Sequence, residues 1–279
     1  MIHNMEENKT DIQENIKEDE NKENNEATSG DESFEGDIPI LDLTDHAIKQ
    51  DQFEGIHILD DMFEKIEGAP NFRKIEGFPI YGTGQPTADG MVEIIKRAKT
   101  GKGKDRIVWF NMRQEPVVYV NGFPFAPRSI QNPHMNLEDR LDSEEIRSVE
   151  GHLARILKKR LKEGDNGTIV IHQDREFAEN PMERVDIEVA LEVKSIEDYE
   201  SVYNNCREMC NVELKVIHVP VIEEQMTTAS NYDIIVEALK DEQAATPCVF
   251  SCQMGKGRTT LGMVSACLVK QVQLTTELR

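Results

Sequence analysis

Near the end of the chain, a short segment with two glycines separates an apolar run from a helical pattern. Residues 247–251 are mostly apolar, which predicts a buried strand. Residues 252–259 have the sequence CQMGKGRT, and residues 259–273 place apolar side chains at helical spacing. A strand, a tight loop and a helix in this order are typical of an α/β domain.

The preceding chain also alternates between strand and helix patterns. Helices are predicted at 88–99, capped by Thr87 or Asp89, and from Asp142, with Glu145 three residues later, to Gly164. Two more helices are predicted at about 195–209 and 230–241, and strands at 106–110, 116–120, 167–172 and 212–219. This alternation predicts a three-layer α/β domain with a largely parallel central sheet flanked by helices.

The N-terminal segment differs in composition from the rest of the chain. Residues 1–37 contain 13 Asp and Glu, three Lys and few large apolar side chains. Such a segment cannot bury enough apolar surface to offset its conformational entropy, so we predict a disordered acidic tail. Residues 38–66 are predicted to form a linker or lead-in, and residues 67–279 to form the folded domain.

Charge and cysteine content exclude several classes of protein. The formal net charge is −21 and no basic stripe is present, which argues against nucleic acid as a partner. No apolar run is long enough to span a bilayer, and the acidic N-terminus does not resemble a signal peptide. The five cysteines lack a disulfide framework spacing, so we expect a cytosolic protein with free thiols.

The residue types in segment 252–259 are those that bind an anion. Successive backbone N–H groups can form a nest, and the N-terminus of the following helix directs its positive end to the same place. We predict that Gly255 and Gly257 allow unusual backbone dihedrals. Lys256 adds a cation at the rim, which suits substrates with more than one phosphate. The predicted phosphate-binding residues are Gln253, Met254, Gly255, Lys256, Gly257 and Arg258.

Three side chains of this segment suit phosphoryl transfer. The positive field favours a thiolate at Cys252, which can attack phosphorus. Arg258 can hold two phosphate oxygens, and Thr259 can donate to the thiolate. A lone cysteine is more often a small buried apolar residue, but here glycines, Arg and Thr follow at fixed offsets. The segment is not a Walker A loop, because Phe250 stands where that motif begins with glycine.

Several separated motifs resemble the first phosphatase-like repeat of the paladin family. They are VFSCQMGKGRT at 249–259, GAPNFR at 68–73, YGTGQP at 81–86 and RQEPV at 113–117. The resemblance extends from about Gly68 to Val269. It implies a cytosolic protein with a cysteine-dependent, dual-specificity-like phosphatase fold, related to the bacterial cysteine phytases. It also implies further helices after residue 279, so we expect the C-terminal part of the domain to be missing.

The resemblance further implies a general acid upstream of the loop. In the segment HVPVIEEQ at 218–225, Glu223 stands where related phosphatases have Asp, and a solvated acidic turn at Glu223 and Glu224 is the alternative. Ser251 stands where protein-tyrosine phosphatases have His, which removes one brace of the loop. The predicted catalytic residues are therefore Cys252, Arg258, Glu223 and Thr259.

Other polar residues have a structural and a functional interpretation. Arg113 can reach a second phosphate or form a structural ion pair. His134, His172 and His218 lack metal-ligand spacing, so we expect no metal, and no cofactor is implied. Cys248 is interpreted as a buried inert thiol, and a disulfide that traps an oxidised Cys252 is the alternative.

Three functions remain open from the sequence. The first is a phosphatase that cleaves phosphate monoesters of proteins, phosphoinositides or inositol phosphates through a phosphocysteine, with signalling proteins as partners. The second is a catalytically silent phosphate-binding regulator or scaffold. A rhodanese-like or arsenate-reductase-like thiol enzyme shares the loop chemistry but not the flanking motifs.

Overall fold

The structure is a computed structural model that describes residues 45–52, 56, 59, 64–101, 105–136, 141–164, 166–177, 180–222 and 228–277. The predicted acidic tail and Glu223 lie outside the described residues. The division into tail, linker and domain therefore stays a prediction. Within the segment 38–66, however, residues 46–50 form a strand that pairs in a sheet.

Along the described chain, three strands precede each of the first three helices, and a single strand precedes each of the last two. The strands are β1 His46–Gln50, β2 Arg73–Lys74, β3 Ile80–Thr83, β4 Arg106–Arg113, β5 Val118–Val120, β6 Phe123–Ser129, β7 Thr168–Phe177, β8 Asn180–Glu192, β9 Ile196–Asp198, β10 Glu213–Val221 and β11 Cys248–Ser251. The helices are α1 Ala88–Ala98, α2 Ser143–Glu163, α3 Tyr199–Cys210, α4 Ala229–Leu239 and α5 Gly257–Glu277.

A five-stranded sheet forms the centre of a three-layer α/β arrangement. Its order is β10-β4-β11-β3-β2, and all neighbours are parallel except β2 and β3. Alternate residues of β4 point to opposite layers: Trp109 packs with α1 and α3, whereas Phe110 packs with α4 and α5. The predicted fold class, a mostly parallel sheet flanked by helices, is confirmed.

A second sheet of six strands was not predicted. Its order is β8-β7-β1-β6-β5-β9, it is mainly antiparallel, and α2 packs on one face of it. Asn121 and Gly122, a residue pair typical of tight turns, join β5 to β6, and both residues have positive φ, as a type I′ turn requires. Pro124 and Pro127 in β6 weaken the sequence signal for a strand, since proline lacks an N–H donor.

The helix starts predicted at Thr87 and Asp142 are confirmed, whereas the helix predicted from about 195 begins at Tyr199, after the strand Ile196–Asp198. The Thr87 side chain accepts a hydrogen bond from the N–H of Gly90, and Asp142 forms a capping box with Glu145. The strand predicted at 167–172 exists, but β7 belongs to the second sheet and not to the parallel one. Of the helices in the described residues, none combines the length and the apolar character that crossing a membrane requires.

Candidate active site

The segment with two glycines lies at the C-terminal edge of the parallel sheet. Strand β11 pairs with β3 on one side and with β4 on the other, and its last residue is Ser251. Residues 252–256 then turn into α5, which begins at Gly257. A loop at this edge, followed directly by a helix N-terminus, is the usual position of an anion site in parallel α/β sheets.

The two glycines of the loop have different roles. Gly255 has a φ of +73°, and a Cβ built there would lie 2.2 Å from the backbone nitrogen of Gly84. Gly257 does not have a positive φ, and a Cβ there would have no heavy atom within 4 Å. The predicted need for glycine is therefore confirmed at position 255 and wrong at position 257.

Four successive loop carbonyls are bound from outside by the segment 71–85. The N–H of Gln85 donates to the carbonyl oxygen of Gln253 at 2.8 Å. The Asn71 amide donates to that of Met254 at 2.7 Å. The Arg73 guanidinium donates to the carbonyl oxygens of residues 255 and 256 at 2.5 and 3.5 Å. With its carbonyls held on the outside, the loop can direct its N–H groups to the inside, which is the geometry of an anion nest.

The Cys252 side chain is the focus of this loop. It is buried, and its sulfur accepts the Gly255 N–H at 3.2 Å. The Thr259 hydroxyl lies 3.0 Å from the same sulfur and 3.2 Å from the Thr83 carbonyl oxygen, so its single proton is shared between two acceptors. The structure thus places Thr259 beside Cys252, as the sequence analysis expected.

Arg258 is held by a carboxylate that the sequence analysis did not identify. Its Nη1 donates to both carboxylate oxygens of Glu115, at 2.7 and 2.9 Å, and to the Val221 carbonyl oxygen at 3.1 Å. Burial alone would raise the pKa of Glu115, but Arg258 and Arg113 outweigh burial and lower it. Glu115 is therefore ionised at neutral pH and fixes one edge of the guanidinium.

A buried network of charges continues from Glu115 into the second sheet. The Arg113 side chain is fully buried, donates to Asp51 and lies 3.3 Å from a Glu115 oxygen. Burial opposes the charge of Arg113, yet Asp51 and Glu115 raise its pKa. Arg128 pairs with the other oxygen of Asp51 at 3.4 Å. The structural ion pair considered for Arg113 is the interpretation that the structure supports.

Ser251 and Cys248 occupy the strand that leads into the loop. The Ser251 hydroxyl accepts a hydrogen bond from the indole N–H of Trp109, which lies in β4, at 2.9 Å. Protein-tyrosine phosphatases have His at the position of Ser251. Cys248 is fully buried, and burial raises the pKa of its thiol to about 11. This agrees with an inert thiol.

Lys256, the cation predicted at the rim of the loop, is exposed to solvent.

The three histidines lie outside the loop. His172 pairs with Asp186 at 2.6 Å, and His134 lies 3.5 Å from Asp174. Burial lowers the pKa of His218 to about 4. Among the described residues, no group of His, Cys, Asp and Glu side chains has the arrangement of a metal site.

Sequence reasoning missed Asn71, Arg73 and Glu115 as parts of the site. All three lie in motifs that resemble those of the paladin family, GAPNFR at 68–73 and RQEPV at 113–117. Their roles were hidden because their partners are 143 to 183 positions away in the chain. Glu223, the predicted general acid, lies outside the described residues.

Comparison with protein families gives one match that covers most of the folded chain. The model PTPlike_phytase, described as "Inositol hexakisphosphate", matches residues 110–270. Paladin of Danio rerio is 26% identical in an alignment of 250 residues that covers 81% of this chain and 28% of paladin. Paladin of Homo sapiens is 25% identical in an alignment of 266 residues that covers 86% of this chain and 30% of paladin. The chain thus spans less than a third of these relatives, and the predicted resemblance is confirmed.

Two solved structures are similar to the chain at low sequence identity. A PTP-like phytase from Bdellovibrio bacteriovorus aligns with a TM-score of 0.48 and 20% identity, covering 79% of this chain and 66% of that one. The PTP-like myo-inositol phosphatase from Mitsuokella multacida, in complex with myo-inositol-(1,3,4,5)-tetrakisphosphate, aligns with a TM-score of 0.49 and 14% identity, covering 74% and 32%.

Proposed function

The chain belongs to the PTP-like phytase family, and we propose that it is a cysteine-dependent phosphatase. It binds phosphate monoesters in the loop 252–259 and hydrolyses them through a phosphocysteine. The observation that carries this proposal is the arrangement at Cys252, whose sulfur has the Thr259 hydroxyl at 3.0 Å and the Gly255 N–H at 3.2 Å. An inert buried thiol has no need of two converging donors.

The first chemical step is attack on phosphorus. The Cys252 thiolate forms the S–P bond while the bond to the leaving oxygen breaks. The loop N–H groups and the Arg258 guanidinium hold the phosphate oxygens and stabilise their charge in the transition state. Glu115 keeps the guanidinium in place, because both of its oxygens accept from Arg258. No reorientation of this cation is then needed during the reaction.

The second step regenerates the thiolate. Water attacks the phosphocysteine and gives a proton to the Glu223 carboxylate formed in the first step, inorganic phosphate leaves, and the sulfur departs as a thiolate. The Thr259 hydroxyl, at 3.0 Å from the sulfur, donates to the departing thiolate and stabilises it.

The leaving oxygen needs a proton in the first step. We assign this role to Glu223, whose carboxylic acid is the expected donor in the segment after β10. Replacing Glu223 with Gln should slow the hydrolysis of alkyl phosphates by about tenfold to a hundredfold and that of aryl phosphates much less. Glu224→Gln is the matched control. Equal losses on both substrate types would argue against the assignment.

The decisive experiment is a phosphate-release panel with phosphopeptides, phosphoinositides and inositol phosphates. Wild-type protein should release phosphate from at least one class, and Cys252→Ser should abolish that release. Arg258→Lys should lower kcat/KM by about a thousandfold, since a point charge cannot replace the bidentate fork. Release that persists in Cys252→Ser would refute the nucleophile.

A silent phosphate-binding module is the second candidate function. One observation favours it. Ser251 stands where protein-tyrosine phosphatases have the His that supports the loop, and its hydroxyl is bound to Trp109 instead. In that case no substrate is turned over, yet orthophosphate or vanadate still binds in an Arg258-dependent manner. Isothermal titration of Cys252→Ser and of Cys252→Ser/Arg258→Lys with orthophosphate separates this outcome from failure of the site to bind.

The cellular setting is part of the proposal. The free thiols of the described cysteines and the acidic composition support a cytosolic location, with phosphorylated proteins, phosphoinositides or inositol phosphates as substrates. Fractionation of cells that express the full chain tests the location.

A further inference from the structure

A cavity of about 230 Å³ adjoins the loop on the side of the second sheet. Gln253 and Met254 of the loop form one wall, and residues of β1, β6, β7 and the turn after β6 form the others. The cavity is smaller than the roughly 300–1,000 Å³ of a complete small-molecule site. It therefore suits the part of a substrate that lies next to a phosphate held in the loop.

The cavity contains cations, but carboxylates of the protein already pair with them. The Lys49 ammonium lies 2.6 Å from an Asp174 oxygen and 3.1 Å from an Asp186 oxygen. Arg128 lies 3.4 Å from Asp51, and His134 lies 3.5 Å from Asp174. The lysine and the arginine that line the cavity thus each pair with an aspartate that also lines it, and Asp51 is shared with Arg113.

The chemistry of this lining discriminates between hydroxyl groups and phosphates. Ammonium and guanidinium groups only donate hydrogen bonds, and ionised carboxylates only accept them. A hydroxyl group does both, so a ring with neighbouring hydroxyls matches alternating donors and acceptors. A phosphate oxygen only accepts, and a second phosphate here would face Asp174 and Asp51 at close range.

The cavity is connected to the loop by hydrogen bonds. Arg128 donates to the Asn136 side chain, and the Asn136 amide donates to the Gln253 side-chain oxygen at 3.0 Å. A ligand group in the cavity therefore lies beside the phosphate in the loop. The net charge of −21 also opposes a highly charged ligand at long range.

We propose that this cavity binds the hydroxyl groups of a polyol whose single phosphate occupies the loop, and that Asp174 selects against polyphosphorylated substrates. The inference rests on the proposed function of the loop and names its substrate class, a polyol monophosphate. It departs from the expectation that Lys256 favours several phosphates. The polyol can be free or part of a lipid headgroup.

The test measures binding by Cys252→Ser, so that turnover is not required. Inositol 4-phosphate, vesicles with phosphatidylinositol 4-phosphate, orthophosphate and inositol hexakisphosphate are titrated at fixed ionic strength. We expect one or both of the monophosphorylated polyols to bind more tightly than orthophosphate and at least as tightly as the hexakisphosphate. Tighter binding of the hexakisphosphate than of both monophosphorylated polyols would overturn the proposal, and this ranking needs no further variant.

The role of Asp174 is tested in the same background. Asp174→Asn removes one negative charge from the cavity and should raise the affinity for hexakisphosphate about tenfold, with a change of less than about threefold for inositol 4-phosphate. Glu188→Gln is the matched control, because Glu188 lies on the neighbouring strand, is exposed and does not line the cavity. Equal effects of both variants would refute the role of Asp174. Loss of orthophosphate binding in Cys252→Ser would instead mean that the proposed function of the loop has failed.

Discussion

Glu150 is a buried acid whose ionisation should make the stability of this protein depend on pH. It lies on α2 with 2% exposure, and its Oε1 accepts the N–H of Val117 at 3.0 Å. Burial raises its pKa from 4.5 to about 8; Asp198 also raises it, while the Val117 N–H, Arg113 and Arg147 lower it. The loop between Arg113 and Val117 includes Glu115, so Glu150 supports the segment that holds Arg258.

The sign follows from proton binding in the two states. Between about pH 4.5 and 8, folded Glu150 keeps a proton that the unfolded chain has released. The folded state therefore binds more protons, and the free energy of unfolding falls as the pH rises through this window. A shift from 4.5 to about 8 corresponds to roughly 4–5 kcal/mol lost by pH 8, at about 1.4 kcal/mol per pH unit.

The perturbation is Glu150→Gln, which keeps an oxygen for the Val117 N–H and cannot ionise. Urea unfolding at pH 5, 7 and 9, followed by fluorescence of Trp109, the sole tryptophan, gives the stability of both proteins. The variant should gain roughly 4 kcal/mol relative to wild type between pH 5 and pH 9. Glu163→Gln, at an exposed position of the same helix, should show a difference that does not change with pH. A stability difference between Glu150→Gln and wild type that is constant with pH would refute the reasoning.

Two further substitutions have matched controls. Gly255→Ala should cost about 2–4 kcal/mol of stability and weaken orthophosphate binding at least tenfold, because of the positive φ and the contact with Gly84. Gly257→Ala, where a Cβ meets open space, should cost less than about 1 kcal/mol in urea unfolding, and similar costs for both would contradict the assignment. Lys270→Met should cost about 2–4 kcal/mol, because this fully buried ammonium donates to the carbonyl oxygens of residues 243, 244 and 246 at 2.7–3.4 Å. Lys240→Met, at an exposed position, should be nearly neutral in thermal unfolding, and equal losses would show that the buried contacts of Lys270 contribute little.

The second sheet shows where sequence patterns were insufficient. Strand β8 carries charged residues at many positions, and β6 contains two prolines, so neither has the apolar run of a buried strand. β6 pairs with β1, about 80 residues earlier in the chain, and β8 pairs with β7, which joins the rest of the sheet through β1, about 120 residues away. Periodicity within a short window does not contain that information.

The amino-acid sequence alone was enough to identify the strand, loop and helix at 247–273 and the proximity of Cys252 and Thr259. These features depend on residues close in the chain, where glycine, helical spacing and a helix N-terminus act locally. Only the tertiary structure showed that Glu115 holds Arg258, that Asn71 and Arg73 hold the loop carbonyls, and that aspartates neutralise the cavity beside the loop. Those contacts join residues more than 75 positions apart, which are brought together only when the distant strands pair and the sheets form.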